Sequence, residues 1–167
     1  MRYISILLVT LVIPAFAFAN DNGLRVVYKH YDFYPPANPV AVGFLGSDNN
    51  TLIFKYSPDA GDNIVGFSTE DELNTGGCDP EAFFTNVLNK NNANCDELSL
   101  KTFRHVFAKD RETGIWSNGE YKFYYFLGKK HSTVFFIPNN IAAKIIKVDS
   151  NFLTKNEMKS LLRDYVQ

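Results

Sequence analysis

Ile115-Trp116-Ser117-Asn118-Gly119 opens the stretch that decides the fold. It continues through Tyr121-Lys122-Phe123-Tyr124-Tyr125-Phe126-Leu127 and Thr133-Val134-Phe135-Phe136-Ile137 to Ala142-Ala143-Lys144-Ile145-Ile146-Lys147-Val148. Aromatic and β-branched residues dominate all four runs, as a pleated, half-buried surface prefers. Asn118-Gly119 supplies the positive φ of a tight hairpin turn. Gly128 to His131 make a second turn, and Pro138-Asn139-Asn140 break the chain before the fourth run. The stretch reads as a four-stranded antiparallel meander.

Alternation sends Tyr121, Phe123, Tyr125 and Leu127 one way and Lys122, Tyr124 and Phe126 the other. One side can face a core. The other, read as carrying Tyr124, Phe126, Val134 and Phe136, needs either a cover or a partner.

Upstream, Val40 to Leu45 and Thr51 to Tyr56 form a second hairpin, with Leu52, Phe54 and Tyr56 on one face. Leu24 to Tyr31 reads as a first strand. Three prolines between Tyr34 and Pro39 exclude helix and central strand there. Ile64 to Phe67 reads as a short strand, followed by Thr69 and Glu72 as the capping box of a brief turn.

Two helices are legible. Asp79 is placed as N-cap with Pro80 at the first helical position, and Phe83, Phe84, Val87 and Leu88 form an apolar stripe. At the end of the chain, Thr154 and Glu157 make a capping box with Leu153 and Met158 as its hydrophobic staple. Met158, Leu161, Leu162, Tyr165 and Val166 then follow a 3.6-residue period. Leu98 to Ala108 fits both periods, and Phe103 to Ala108 is read as a strand.

Met1-Arg2, an apolar run from Ile4 to Phe16 and Ala17-Phe18-Ala19 have the form of a secretory signal peptide cleaved after Ala19. The run is too short for about 30 Å of hydrocarbon, and Pro14 breaks it. Residues 20–167 then form one α+β domain: the meander and the upstream hairpin, packed by the C-terminal amphipathic helix and the short helix near the cysteines. Cys78 and Cys95, in a chain bound for an oxidising compartment, are expected to pair and clamp that helix. Such a bridge contributes about 3 kcal/mol on the chain-entropy model.

The expected mature chain carries 16 Lys and Arg, one fewer than the full chain's 17, against 18 Asp and Glu. So even a balance argues against nucleic acid as a partner, which needs a basic patch. No membrane insertion is expected after signal cleavage. The sequence has no Gly-x-Ser-x-Gly elbow and no phosphate-binding glycine loop. His30, His105 and His131 lack His or Cys partners at ligand spacing. No catalytic residue, metal or cofactor is therefore assigned.

The aromatic excess points instead to binding. Of 15 Phe, nine Tyr and one Trp, only Tyr3, Phe16 and Phe18 precede residue 20. The charged segment Lys109 to Gly114 leads to the single tryptophan, and Arg111, Glu112, Trp116 and Tyr124 are the expected partner-binding residues, since Trp, Tyr and Arg dominate interface energetics. The chain is expected to be periplasmic or secreted and to act on a protein, as an immunity or inhibitor protein that neutralises a toxin or an enzyme. A small hydrolase or effector, or a carrier of an apolar ligand between the sheet and the C-terminal helix, are the alternatives. Intact-mass analysis of exported protein is expected to show a chain beginning at Asn20, two protons lighter than the dithiol. Two alkylatable thiols in native material would contradict the bridge.

Overall fold

The computed structural model describes residues 23–46, 50–70, 73–91, 95–138 and 144–166. The expected signal segment, residues 1–19, lies outside them. Two antiparallel meanders share one sheet. The first is β3 (Ala41–Leu45), β4 (Thr51–Lys55) and β5 (Ile64–Glu70). The second is β6 (Glu112–Ser117), β7 (Lys122–Leu127), β8 (Ser132–Ile137) and β9 (Ile145–Ser150). β5 pairs with β9, so the order is β3-β4-β5-β9-β8-β7-β6. A separate hairpin, β1 (Val26–Tyr28) with β2 (Tyr31–Phe33), precedes them.

The expected α+β architecture and meander are present, with local corrections. The Asn118-Gly119 turn is a four-residue loop: only Gly119 takes positive φ, at 93°, and the Asn118 carboxamide accepts from the backbone N–H of Glu120 and Tyr121. The Leu24 to Tyr31 run is not one strand. It turns at Lys29 and His30, both left-handed at φ 50° and 73°. Lysine is not a residue that adopts this backbone readily, while histidine does so more often than most; burial of Tyr28 and Phe33 on either side holds the turn in place. β5 runs on to Glu70, so Thr69 is a strand residue rather than a cap; Glu72 lies outside the described residues.

The first face of the sheet carries Leu52, Phe54, Val65, Phe67, Val148, Ile146, Val134, Phe136 and Phe123. Val134 and Phe136 belong here rather than beside Tyr124, because Val134 registers with Tyr125 and Phe136 with Phe123. Helix α3 (Lys155–Leu161) and the β1–β2 hairpin cover this face. The expected capping box starts α3: Glu157 accepts from the Thr154 N–H at 2.7 Å. Leu153, Met158, Leu161 and Leu162 are buried in one cluster. The helix is shorter than its stripe, since residues 162–165 form turns. Tyr34 N–H donates to the Leu161 carbonyl at 2.9 Å, and Asp32 N–H to the Tyr165 hydroxyl at 2.8 Å, which ties the hairpin to the end of α3.

The connection from β5 to β6 must travel from the middle of the sheet to its far edge. It does so as α1 (Pro80–Asn89), α2 (Glu97–Phe103) and a π-helical turn, Arg104–Ala108. The strand expected at Phe103 to Ala108 is thus helical. Phe103 and Phe107 stack at 4.6 Å as an i, i+4 pair, which only a helix permits. Phe83, Phe84, Val87, Leu100 and Phe103 bury themselves on Tyr124, Phe126 and Phe135, the aromatic side that needed a cover. Cys78 and Cys95 are bonded, with Cα atoms 5.2 Å apart, and hold the start of α1 beside the start of α2. No helix among the described residues is long and apolar enough to cross a membrane.

Leu161→Ala is expected to cost about 2–5 kcal/mol, as buried leucine truncations do. Asn156→Ala, on the exposed side of α3, is expected to cost under about 0.5 kcal/mol. Denaturant unfolding checks the pair; equal losses would mean that α3 does not dock by this stripe.

Candidate functional site

Strand alternation divides the four expected binding residues. Arg111 follows Asp110, whose φ is 57°, and is half-buried at the mouth of a cleft of about 550 Å³ that Lys90, Arg104, His105 and Lys109 also line. Arg104 caps α1 there, donating to the carbonyls of Asn86 at 2.7 Å and Asn91 at 2.6 Å. Glu112 opens β6, exposed and ion-paired with Lys155 at 2.5 Å. Trp116 faces the first core, buried, and stacks on Tyr125 at 4.5 Å. A Cβ at Gly114 would collide with the Tyr125 ring, so the glycine is what lets that ring lie flat across the strand. Tyr124 points to the opposite face, fully buried, stacked on Phe84 at 4.9 Å. Glu112 is at the surface and Arg111 half-buried, with its Nη1 enclosed; Trp116 and Tyr124 are packing residues in two different cores. They do not form one edge.

The sequence reading places β3 in a hairpin with β4 but not among the binding residues. Its outer edge pairs with no strand among the described residues, and all five of its residues are exposed. Val40, Val42, Phe44 and Leu45 are each 55–59% exposed, half of the eight large apolar side chains that lie open among the described residues. Val42 and Phe44 extend the first face beside Phe54 and Leu52, while Ala41, Gly43 and Leu45 extend the second. Exposed edge strands are normally guarded by charge, proline or a bulge. The opposite edge, β6, has the Glu112–Lys155 pair and exposes only Ile115 among its large apolar residues. β3 has Pro39 ahead of it and no charge of its own. The sequence signal was Val40-Ala41-Val42-Gly43-Phe44-Leu45 itself, which lacks the polar alternation of a half-solvated strand.

Away from Ile145, which packs with α1 and α2, the second face over β4, β5 and β9 is open as a groove among the described residues. Thr51, Ile53, Ile64, Gly66 and Ser68 line a groove of about 260 Å³ that ends at His131 and Asp149. A Cβ at Gly66 would meet nothing within 4 Å, so the glycine deepens the groove floor. Asp149 accepts from the Thr133 hydroxyl at 2.7 Å, contacts His131 Nε2 at 3.1 Å and lies 3.5 Å from Lys147 Nζ. Lys147 pairs more closely with Glu70, at 2.6 Å. Burial pushes the Asp149 carboxyl up, but the bonds from His131 and Thr133 and the Lys147 charge outweigh it and hold the carboxyl below its ordinary range.

Comparison with protein-family models, with curated proteins and with solved structures returned no match. What the fold defines is an α+β protein with one disulfide, whose sheet ends in a charge-paired edge at β6 and an uncharged, apolar edge at β3.

A depressed carboxyl stabilises the fold above its unfolded pKa, about 3.9, and that contribution is lost as pH falls through the lower folded value. Asp149→Asn is expected to be about 1–3 kcal/mol less stable at pH 7 and to show a flatter loss of stability below about pH 4. Urea unfolding as a function of pH measures both. An unchanged acid limb would mean that Asp149 is not the group responsible.

Proposed function

We propose that the chain acts by binding another protein, as an exported immunity or inhibitor protein that occupies its target through β3. The observation that carries this reading is an uncharged, apolar strand, all of it exposed, at one end of the sheet. A partner segment adding itself to β3 gains main-chain hydrogen bonds, while pockets beside alternate side chains set specificity. Val42 and Phe44 offer one row, Ala41 and Leu45 the other. Burying a large apolar side chain is worth about 1.5–3 kcal/mol, set against the several kcal/mol that association costs. The strand therefore supplies a hot spot and leaves further contacts to the rest of the surface. Export to the periplasm or beyond belongs to the same proposal and is supported by the bonded Cys78 and Cys95.

A second reading, a small hydrolase, is favoured by His131 held against Asp149 at the end of the groove. The carrier alternative needs space between sheet and α3, where Met158, Leu161 and Leu162 are completely buried.

Crosslinking in the producing cell, followed by mass spectrometry, supplies the candidate partner, and calorimetry with purified proteins tests it. Val42→Lys and Phe44→Lys are expected each to weaken binding at least about thirtyfold, the hot-spot threshold, with melting temperatures within a few degrees of the parent. Unchanged affinity in both variants would overturn the β3 reading. Substrate turnover lost on His131→Ala would select the hydrolase instead.

A further inference from the structure

We infer that, in the isolated protein, β3 is covered by the β3 of a second copy of the chain, antiparallel about a two-fold axis at Gly43. This rests on the reading of β3 as a binding edge and names its resting occupant. Pairing about Gly43 sets Ala41 opposite Leu45 of the second copy, Val42 opposite its Phe44, and glycine opposite glycine. Small residues meet large ones on both faces. A two-fold interface demands such self-complementarity, since each contact occurs twice.

The register is fixed by the faces of the sheet. A slip of one residue turns the second copy over, so that its Val42 and Phe44 meet the bare face. A slip of two residues one way sets Phe44 opposite the Phe44 of the second copy and leaves Ala41 and Val42 unpaired within the strand. A slip of two the other way sets Pro39, which has no N–H to give, opposite Leu45. Gly43 is the one centre at which all five residues of the strand find partners.

Charge does not oppose the pairing. Residues 40–45 carry none, and the first charged side chain inward is Lys55 on β4, which registers with Ala41. The two copies would continue the sheet from seven strands to 14. Val42 and Phe44 of both copies would then form one apolar row beside Leu52 and Phe54.

The exposed fractions set how firmly the copies hold. Four side chains of this size, a little over half exposed, offer roughly 400 Å² per copy, about half the ~800 Å² per partner of a standard interface. That suits a reversible dimer, which shields the apolar edge and yields it to a stronger partner.

The test is sedimentation equilibrium of the purified mature chain from about 1 µM to about 1 mM, a range that brackets weak association. The mass is expected to rise toward twice the monomer's. Val42→Lys and Phe44→Lys are expected to stay monomeric, while Ile115→Lys, on the opposite edge, still dimerises. Circular dichroism checks that each variant is folded. Should either lysine variant unfold, an isotope-filtered NOE in a mixed labelled and unlabelled wild-type sample decides: contact between Val42 methyls and the Phe44 ring of another molecule is expected. A wild type that stays monomeric throughout, a dimer that survives both lysine changes, or no such NOE in a dimeric sample overturns the inference. A monomeric wild type whose partner binding is still lost in Val42→Lys overturns self-pairing alone and leaves the proposed function standing. A dimer abolished by Val42→Lys whose partner binding is unaffected does the reverse.

Discussion

The pairing of β5 with β9 is the constraint on which the rest of this structure depends. Val65 to Glu70 register with Ser150 to Ile145, joining two meanders that are each local in sequence. The contact spans some 80 residues of chain, so the loop it closes is costly in entropy, and it is repaid by side chains on both faces. On the first face Phe67 and Val148 are fully buried. On the second, Ser68 registers with Lys147 and Gly66 with Asp149, and Lys147 reaches Glu70. These ion pairs are partly solvated, so their worth is modest. The apolar row does most of the holding.

That junction also decides where the sheet is covered and where it is open. Because β5 sits in the middle and β6 at the far edge, the helical connection between them must cross the β7–β8 half of the second face. It covers Tyr124, Phe126 and Phe135 on the way. The first face is closed by α3 and the β1–β2 hairpin, brought together by the Tyr34 and Asp32 backbone bonds. Among the described residues, nothing but β4 pairs with β3. An apolar edge and a shallow groove are left side by side, and the proposed binding role follows from that leftover surface rather than from a built catalytic centre.

Local signals were legible in the sequence; non-local ones were not. The Thr154–Glu157 box, the Asp79-Pro80 start, the β3–β4 hairpin and the disulfide each depend on residues close in the chain or on an even cysteine count. Leu98 to Ala108 misled because Phe103, His105 and Phe107 satisfy a strand period while Leu100, Phe103 and Phe107 satisfy a helical one. Packing under α1 chose the helix, and the π-helical turn absorbed the change of direction, with the Lys109 N–H donating to the Arg104 carbonyl. Lys29 and His30 gave little sign of a turn, since neither is one of the Gly, Pro, Asn, Asp or Ser residues that dominate turns. The site fared worse than the fold. Trp116 and Arg111 are the residue types that interfaces favour, but a strand sends neighbours to opposite faces, and only the pairing of Trp116 with Phe123 reveals which face is core. That β3 is an edge depends on the strand order, which no single stretch of sequence carries.

Residue-resolved amide hydrogen exchange at low protein concentration tests the central claim, that the β5–β9 junction is the seam of the fold and β3 its open margin. The account predicts that the slowest amides, opening only with the whole molecule, lie in β5, β9 and β8, and that those of β3 directed away from β4 exchange fastest among the strands of the sheet. Exchange in β5 and β9 running ahead of the local β6–β7 hairpin, or full protection along both edges of β3 in the monomer, would contradict it.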